Sequence, residues 1–446
     1  MRQTPPGPSG NFYQQLQALR ADFLAYLLNS AREYGDLVRL NPGPRTYLYL
    51  VNNPDLVRQI LVTDASNYHK STMTQKMVGR FLGRGLIINE GEPHRKQRKL
   101  AQPAFHKQRV DGYARAMVEL TQNEMATWRS EEPFDFEASM VRLTMQIVAK
   151  TLFGADMGDR SAQVGRIMEL FAEAIGSQFK ALPLPQWLPI PRHRRQKAAV
   201  VQMDALIAEL VADWRKAGND NGDLMSMLLL ARDEDSGEGM SDKQLRDELV
   251  SIYFAGHETV AKLICWVVFQ LTQYPAVADR LHAEIAEKLA GKCPSPDALS
   301  QLPYLDQVVK ETLRLYPPAW VFDRMPIEDV ELAGYHVPAG STIYVSPYVS
   351  HRDGRYFDRP DEFLPERFAA GWEQNISKFS YLPFGGGPRI CIGQVFAEME
   401  AKLILATILA NHRFELATND PILPEPGATL RPKNGLPVII RRVANG

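Results

Sequence analysis

The feature that most constrains this chain is a ten-residue run that starts at Phe384 and reads Phe-Gly-Gly-Gly-Pro-Arg-Ile-Cys-Ile-Gly. Its cysteine, Cys391, follows a glycine-rich turn, with Arg389 two residues before it and Gly393 two residues after it. The next residues, 394–409, have the pattern of a helix. A helix N-terminus stabilises a thiolate, and glycines allow a backbone to approach a flat group closely. The run therefore predicts a thiolate site for a large planar ligand, with Arg389 available to bind an acidic group on that ligand.

A haem meets all three conditions, because it offers iron to the thiolate, a porphyrin face to the glycines and a propionate to the arginine. The pattern Phe-x-x-Gly-x-Arg-x-Cys-x-Gly resembles the haem-binding loop of cytochrome P450. A single cysteine is more often a buried, inert thiol, but the ten matched positions favour the haem ligand. The resemblance implies haem b as the cofactor, with Cys391 as its axial ligand and with Phe384, Arg389 and Gly393 around it.

Composition argues against several other classes of protein. Hydrophobic residues make up 45% of the 446 residues and charged residues 23%, and a net charge of −1 gives no reason to expect nucleic acid as a partner. The cysteines, Cys265, Cys293 and Cys391, form neither a disulfide framework nor a zinc pattern, which suits a reducing compartment. The sequence has no signal peptide and no long apolar run, so we expect a soluble, cytoplasmic protein without a transmembrane anchor.

Helical patterns dominate the chain, with a minor β component. A capping box that starts at Ser241 predicts a long helix to about residue 273. Residues 330–332 and 342–345 flank two glycines and predict a hairpin. There is no glycine-rich nucleotide-binding motif, so residues 1–446 are predicted to form a single haem domain without a fused reductase. The resemblance implies the cytochrome P450 fold, mainly α with small β-sheets, in which the haem lies between the long helix and the cysteine loop.

The middle of the predicted long helix reads Ala255-Gly-His-Glu-Thr. A glycine inside a helix costs about 1 kcal/mol relative to alanine, and Ala255 and Gly256 together would leave room for a ligand on one face. Thr259 can hydrogen-bond backbone carbonyls, and Glu258 supplies a carboxylate. The motif resembles the oxygen-activation motif of cytochrome P450, which implies that Thr259 and Glu258 deliver the protons needed to cleave dioxygen. We interpret His257 as structural or substrate-facing and not as a metal ligand.

A second motif, which runs from Glu311 to Arg314, places opposite charges three residues apart on one helix face. Its apolar neighbours predict that the pair is buried, and a buried pair needs further partners. Arg367, in the later segment Pro-Glu-Arg-Phe, is the natural third member. These motifs and the cysteine loop follow one another in the order of the structural triad and haem loop of cytochrome P450. We therefore assign Glu311, Arg314 and Arg367 to folding and haem retention.

Three further basic residues are predicted to bind the haem propionates. His94 and Arg98 lie four residues apart, so they share one face of a basic helix. Arg324, which follows Trp-Val-Phe-Asp, matches another propionate-binding arginine of the resembled family. The other basic residues between positions 95 and 99 form either a solvated face or a docking patch for an acidic redox protein.

These motifs together predict a monooxygenase that inserts one oxygen atom of O2 into a hydrophobic organic substrate. Its electrons would come from a separate partner, either a ferredoxin with its ferredoxin reductase or a flavin-containing reductase. Two alternatives stay open. One is a peroxide-driven or dehydrating haem-thiolate enzyme, which the pair of Glu258 and Thr259 disfavours. The other is a non-catalytic haem-binding sensor or carrier, which would need no redox partner.

The segments expected to line the substrate pocket are apolar and aromatic, which favours a fatty acid, a terpenoid or a steroid. The pocket residues predicted in them are Phe81, Ile87, Phe179, Ala255, Trp320, Val321 and Phe322. Residues 181–191 contain four prolines and an apolar set that includes Trp187. They form either a packed connection or a lid that touches a membrane surface peripherally.

Overall fold

The computed structural model describes residues 3–10, 12–40, 47–154, 166–167, 170–171, 188, 190–217, 222–232 and 237–442. Its α-helices are Phe12–Ala21, Phe23–Tyr34, Pro54–Arg58, Thr72–Leu82, Gly91–Ala101, Lys107–Gly112, Ala114–Ala126, Phe136–Phe153, Pro191–Ala217, Leu224–Leu230, Asp242–Gln273, Pro275–Leu289, Pro296–Leu299, Pro303–Leu315, Pro347–Ser350 and Gln394–Leu409. The chain forms two compact units, one made of Met1–Lys76 with Gln307–Cys391 and the other of Met77–Asp306 with Ile392–Gly446. That residues 1–446 act as a single haem domain stays a prediction.

The unit that contains Cys391, called here the cysteine unit, is built on a five-stranded sheet. Its strand order is Leu37–Arg39, Leu48–Val51, Thr342–Val345, Phe322–Pro326 and Tyr68–His69. The second and third strands pair in parallel, and the other neighbours pair antiparallel. Buried sheet residues such as Tyr49, Ile343 and Val345 form one core with Ile60 and Leu61. This core fixes the one-turn segment Gln59–Thr63, which in turn supports the cysteine loop.

The predicted hairpin between residues 330–332 and 342–345 is wrong. Strand Val330–Leu332 pairs instead with Tyr335–Val337 across a two-residue turn, in which Ala333 and Gly334 have φ angles of 49° and 78°. Two successive positive φ angles produce the tight turn whose twist matches that of paired strands. Because this short hairpin is complete in itself, Thr342–Val345 is available as an inner strand of the five-stranded sheet.

The second unit, called here the long-helix unit, is mainly helical. Helix Asp242–Gln273 begins at Ser241, whose hydroxyl accepts the N–H of Gln244, as the capping box predicts. This long helix packs along Phe136–Phe153, and its Trp266 donates the indole N–H to the carbonyl oxygen of Leu430 at 3.0 Å. The small sheets of this unit are Pro133–Asp135, Pro437–Arg442 and His412–Leu416 in that spatial order, and the pair Pro424–Pro426 and Leu430–Pro432.

The long helix is also the core of its unit. Its residues Leu245, Leu249, Val250 and Tyr253 are buried in one apolar cluster with Phe81. By length and hydropathy this helix could cross a membrane, and it is the one described helix of which that is true. However, 61% of the 18-residue apolar stretch of this helix is buried within the protein, as is usual for a core helix.

Candidate haem site

The cysteine loop, residues 384–391, packs tightly against Gln59–Thr63 in its own unit. At Gly387 the φ angle is 66°, and a Cβ atom there would overlap the carbonyl oxygen of Leu61. Any other residue would strain the backbone and push the loop off its support. We expected the loop glycines to make room for a ligand, but Gly387 makes room for the protein's own backbone.

Cys391 lies at an accessible end of this loop. It is exposed, and its N–H donates to the carbonyl oxygen of Phe384 at 3.0 Å. The turn between them includes the short helical segment Gly387–Arg389. Gly385, in the same turn, has a φ of 72° and no heavy atom within 4 Å of its Cβ position. The loop thus presents a thiol beside a glycine backbone that a flat group can approach.

A histidine that we did not predict connects the residues just before the cysteine loop to helix Pro303–Leu315. Nε2 of His351 accepts the N–H of Leu382 at 2.7 Å, and its Nδ1 lies 3.1 Å from the carbonyl oxygen of Arg314. This arrangement assigns the ring proton to Nδ1, which donates. Burial and the charge of Arg314 lower the pKa of His351 to about 3, so the ring is neutral. No local motif indicates this role, because the partners of His351 lie 31 and 37 residues away.

Glu311, Arg314 and Arg367 lie together in the cysteine unit. Glu311 accepts from Nε and Nη2 of Arg314 at 2.7 and 2.9 Å, and from Nε of Arg367 at 3.3 Å. The N–H of Leu364 adds a fourth bond at 2.8 Å. Arg314 directs its remaining donors at three backbone carbonyls, those of His351, Pro360 and Glu362. The side chains of Glu311 and Arg314 are both 0% exposed, and these extra bonds offset the loss of their hydration.

The long helix places Ala255 and Thr259 one turn apart on the same face. Ala255 is exposed, and the hydroxyl of Thr259 donates to the carbonyl oxygen of Ala255 at 2.8 Å. The expectation that Gly256 also makes room for a ligand is wrong. A Cβ atom at Gly256 would lie 3.2 Å from Cγ2 of Val148, so this glycine lets helix Phe136–Phe153 approach the long helix closely.

His257 turns away from this face into the core, whereas Glu258 is held by a residue of another segment. One oxygen of Glu258 accepts the hydroxyl hydrogen of Thr429 at 2.9 Å. His257 is buried, its Nδ1 lies 3.0 Å from the carbonyl oxygen of Tyr253, and its ring packs on the Tyr253 ring. Burial lowers the pKa of His257, so it packs as a neutral ring in the core. Thr429 was not predicted, because it lies 171 residues from Glu258.

The predicted propionate ligands divide evenly between the units. His94 is buried and Arg98 is partly buried, one turn apart on helix Gly91–Ala101 of the long-helix unit. Arg324 is buried in the cysteine unit, where it donates to the carbonyl oxygen of Asp323 at 2.7 Å. Arg389 is partly buried in the cysteine loop.

Gly393 belongs to the long-helix unit and precedes helix Gln394–Leu409 as its N-cap. A Cβ atom at this position would lie 3.7 Å from the ring of Phe105, which is an ordinary contact distance. Helix Gln394–Leu409 is largely buried from Met399 onward. Gly393 thus lies where the chain leaves the cysteine loop and enters the helical core.

Two of the predicted pocket residues are engaged in packing. Phe81 is 1% exposed, and its ring meets the ring of Phe171 edge to face at 5.9 Å. Trp320 is buried against Phe23 in the same way, at 5.5 Å. The pocket candidates with accessible surface are Ile87, Val321, Phe322 and Ala255. Phe179 and Trp187, and with Trp187 most of the predicted lid, lie outside the described residues.

The donor set around Cys391 fits a haem. A single thiolate can fill the axial position of an iron that a porphyrin already holds by four nitrogens. The Cβ position of Gly385 has no heavy atom within 4 Å, which leaves room for a flat group there, and Arg389 of the same loop is a candidate partner for a propionate. Within the described part of the chain, no group of three or more His, Cys, Asp or Glu side chains converges to hold a bare metal ion.

Comparison with known proteins identifies the family. The sequence model of the cytochrome P450 family matches residues 5–438, so the chain belongs to that family. Cyclooctatin synthase of Streptomyces melanosporofaciens is 37% identical, over 91% of this chain and 87% of that protein. Cyclooctat-9-en-7-ol 5-monooxygenase of the same organism is 34% identical, over 90% and 86%. Pentalenene oxygenase of Streptomyces avermitilis is 32% identical, over 91% and 88%.

Solved structures agree on the fold. The haem domain of cytochrome P450DA superposes with a TM-score of 0.89 at 24% identity, covering 99% of this chain and 98% of that one. The retinoic acid-bound cyanobacterial CYP120A1 superposes with a TM-score of 0.88 at 24% identity, over 99% and 100%. The chain therefore has the cytochrome P450 fold, its cofactor is haem b, and it is a cytochrome P450 monooxygenase.

Proposed function

We propose that this enzyme hydroxylates a terpenoid skeleton. The observation that carries the proposal is that three relatives, 32–37% identical over about nine-tenths of the chain, have names that refer to terpenoids: cyclooctatin synthase, cyclooctat-9-en-7-ol 5-monooxygenase and pentalenene oxygenase. The accessible pocket candidates Ile87, Val321 and Phe322 are apolar, which supports a hydrocarbon-rich ligand over a charged one. Fatty acids and steroids are the competing substrate classes.

The overall reaction consumes O2, two electrons and two protons, and yields the hydroxylated substrate and water. Bound haem supplies the activation of O2 and the transfer of one oxygen atom to carbon. The thiolate of Cys391 would hold the iron and donate electron density to it. His94, Arg98, Arg324 and Arg389 would hold the propionates, since guanidinium and imidazole donors match carboxylates.

Proton supply is proposed to fall to Thr259 and Glu258. The hydroxyl of Thr259 lies on the accessible face with Ala255, and it can release its bond to the carbonyl of Ala255 by one χ1 rotation. Glu258 has a second carboxylate oxygen besides the one that Thr429 occupies, so it can exchange protons while Thr429 holds it in place. A hydroxyl and a carboxylate on adjacent helix positions are suited to delivering protons to a site that excludes bulk water.

Haem retention is proposed to depend on the charge cluster around Glu311. Arg314 of that cluster is joined through its carbonyl oxygen to His351, and His351 is joined to Leu382, two residues before Phe384. A rigid cluster at one end of this chain of bonds restricts the cysteine loop at the other. The positions of the loop and the cluster in one compact unit support this assignment.

The electron donor is proposed to be a separate ferredoxin or flavoprotein that docks near helix Gly91–Ala101. Arg95 and Lys96 of this helix pair with acids, at 3.3 Å to Glu92 and 3.5 Å to Glu238. Both pairs are exposed or half-exposed, so each is weak and can be displaced by an acidic partner. Reversing Arg95 to Glu should slow reduction by the donor at low salt and leave peroxide-supported turnover unchanged.

The substrate proposal is tested by binding and by turnover. Ferric protein is titrated with cyclic terpenoids, fatty acids and steroids of matched size, and displacement of iron-bound water is followed by the shift of the Soret band. Compounds that bind are then incubated with a surrogate ferredoxin, its reductase and NADPH, and products are analysed for the gain of one oxygen atom. We expect terpenoids to bind most tightly and to be hydroxylated. Selective binding and hydroxylation of fatty acids or steroids would contradict the proposal.

A further inference from the structure

Two adjacent carboxylates of the long helix bind the backbone of one turn, residues 83–86. The N–H of Arg84 donates to Oδ2 of Asp247 at 2.8 Å, and the N–H of Leu86 donates to Oε2 of Glu248 at 2.9 Å. Asp247 is 4% exposed and Glu248 is 0% exposed. Burial makes such bonds strong and makes the loss of either partner costly.

The turn itself is shaped to receive these carboxylates. Gly83 has a φ of 65°, and a Cβ atom there would overlap the carboxylate of Asp247. A Cβ atom at Gly85 would overlap the hydroxyl of Ser251 and the carbonyl oxygen of Asp247. Both glycines are therefore needed for the backbone to reach the helix.

Side chains on both sides complete the attachment. Arg246 donates to the carbonyl oxygen of Phe81 at 3.1 Å and to Asp247 at 3.0 Å. The carbonyl oxygen of Arg84 accepts from the amides of Asn89 and Gln97 at 2.8 and 2.9 Å. The long helix thus binds the N–H groups of the turn, and side chains of the following segment bind one of its carbonyl groups.

This attachment lies on the helix face that carries the proposed reaction site. Glu248, Ser251, Ala255 and Thr259 follow one another at intervals of three or four residues, so they share one face. Leu86 and Ile88, on either side of Ile87, are buried, whereas Ile87 is partly exposed. A molecule bound beside Ala255 would therefore lie one to two helical turns from the point at which this segment is attached to the long helix.

We propose that Asp247 and Glu248 are specificity-determining residues: they lock the turn of residues 83–86 onto the long helix and so fix where Ile87 meets the substrate. The inference rests on the proposed function in one respect, namely that Ile87 lines the substrate pocket. Asp247 and Glu248 touch neither substrate nor haem in this scheme. They act through the backbone of the turn, so they are positioning residues.

The lock is tested by amide hydrogen exchange on the haem-loaded protein, resolved to single residues. Asp247→Ala should speed exchange at Arg84, and Glu248→Ala should speed exchange at Leu86, each by about tenfold or more. Asp247→Asn and Glu248→Gln keep an accepting oxygen and should largely restore protection. Asp242→Ala is the matched control, because Asp242 lies on the same helix but forms an exposed pair with Arg215.

Equal acceleration throughout helix Phe136–Phe153 would mean that the acids stabilise the whole fold, and it would overturn the lock. Unchanged exchange at Arg84 and Leu86 would overturn it directly. Both outcomes are independent of catalysis, so they are distinguishable from a failure of the proposed function.

The specificity role is tested with two haem-binding probes of different size, 4-phenylimidazole and imidazole. If Ile87 is held by the lock, the alanine variants should change the association rate of 4-phenylimidazole by about tenfold relative to imidazole. The amide variants should behave as the wild type. An unchanged ratio of the two rates, with exchange at the turn accelerated, would overturn the specificity role.

Discussion

Removing the charge of Glu311 should destabilise this enzyme more than removing the charge of any comparable surface glutamate. The carboxylate of Glu311 is fully buried and accepts four hydrogen bonds, three of them from Arg314 and Arg367. Glu311→Gln keeps the shape but leaves two guanidinium groups without their counter-charge. Breaking a buried pair in this way costs about 3–5 kcal/mol.

This free energy can be converted into a change in melting temperature. An unfolding entropy of about 2.1 cal/mol/K per residue gives about 0.9 kcal/mol/K for a chain of 446 residues, so we expect a decrease of about 3–5 °C. The assay is thermal unfolding of the haem-loaded protein, followed by circular dichroism and by the ferrous–carbon monoxide band. If the cluster supports the cysteine loop as proposed, the band should be lost at or below the temperature at which secondary structure is lost.

Glu362→Gln is the matched control. Glu362 pairs with Arg359 at 3.3 Å and at the same spacing of three residues, in the same unit, but both side chains are more than half exposed. Such a pair contributes less than about 1 kcal/mol, so its melting temperature should fall by less than about 1 °C. Equal shifts in the two variants, or a shift below about 1 °C for Glu311→Gln, would refute the reasoning that burial decides the value of this pair.

Four further predictions concern the thiolate, proton delivery and the pH dependence of stability. Cys391→His should abolish the red-shifted ferrous–carbon monoxide band that a thiolate ligand produces, and an unchanged band would exclude Cys391 as the ligand. Thr259→Ala and Glu258→Gln should keep that band but divert electrons from product to hydrogen peroxide; normal coupling of NADPH use to product in both variants would argue against their role. The pKa of His351 falls from 6.5 to about 3 on folding, so the free energy of unfolding of the wild type should decrease as pH falls through that range, by up to about 1.4 kcal/mol per pH unit. His351→Gln should make this decrease smaller. Glu248 acts in the opposite direction, because burial raises its pKa from 4.5 to about 7, and the free energy of unfolding should therefore decrease as pH rises through that range. Urea unfolding at several pH values should show a smaller decrease for Glu248→Gln than for the wild type.

Features coded by neighbouring residues could be predicted from the sequence. The motif that contains Cys391 is a run of ten residues, and the cap at Ser241 and the pair of Glu311 and Arg314 each span four. Backbone conformation and helix spacing decide such local arrangements, so residue order is sufficient to indicate them. The sequence by itself therefore determined the family and the start of the long helix, and it predicts Cys391 as the ligand of the haem iron.

Only the tertiary structure decided which distant residues meet. It shows that Gly256 serves helix packing against Val148, that Thr429 holds Glu258, and that Thr342–Val345 is an inner strand. It also brings the N–H of Leu86 to Glu248, 162 residues along the chain. These contacts depend on how whole helices and strands pack against one another, and the periodicity of a single segment reports which face is apolar but not which residues that face will touch.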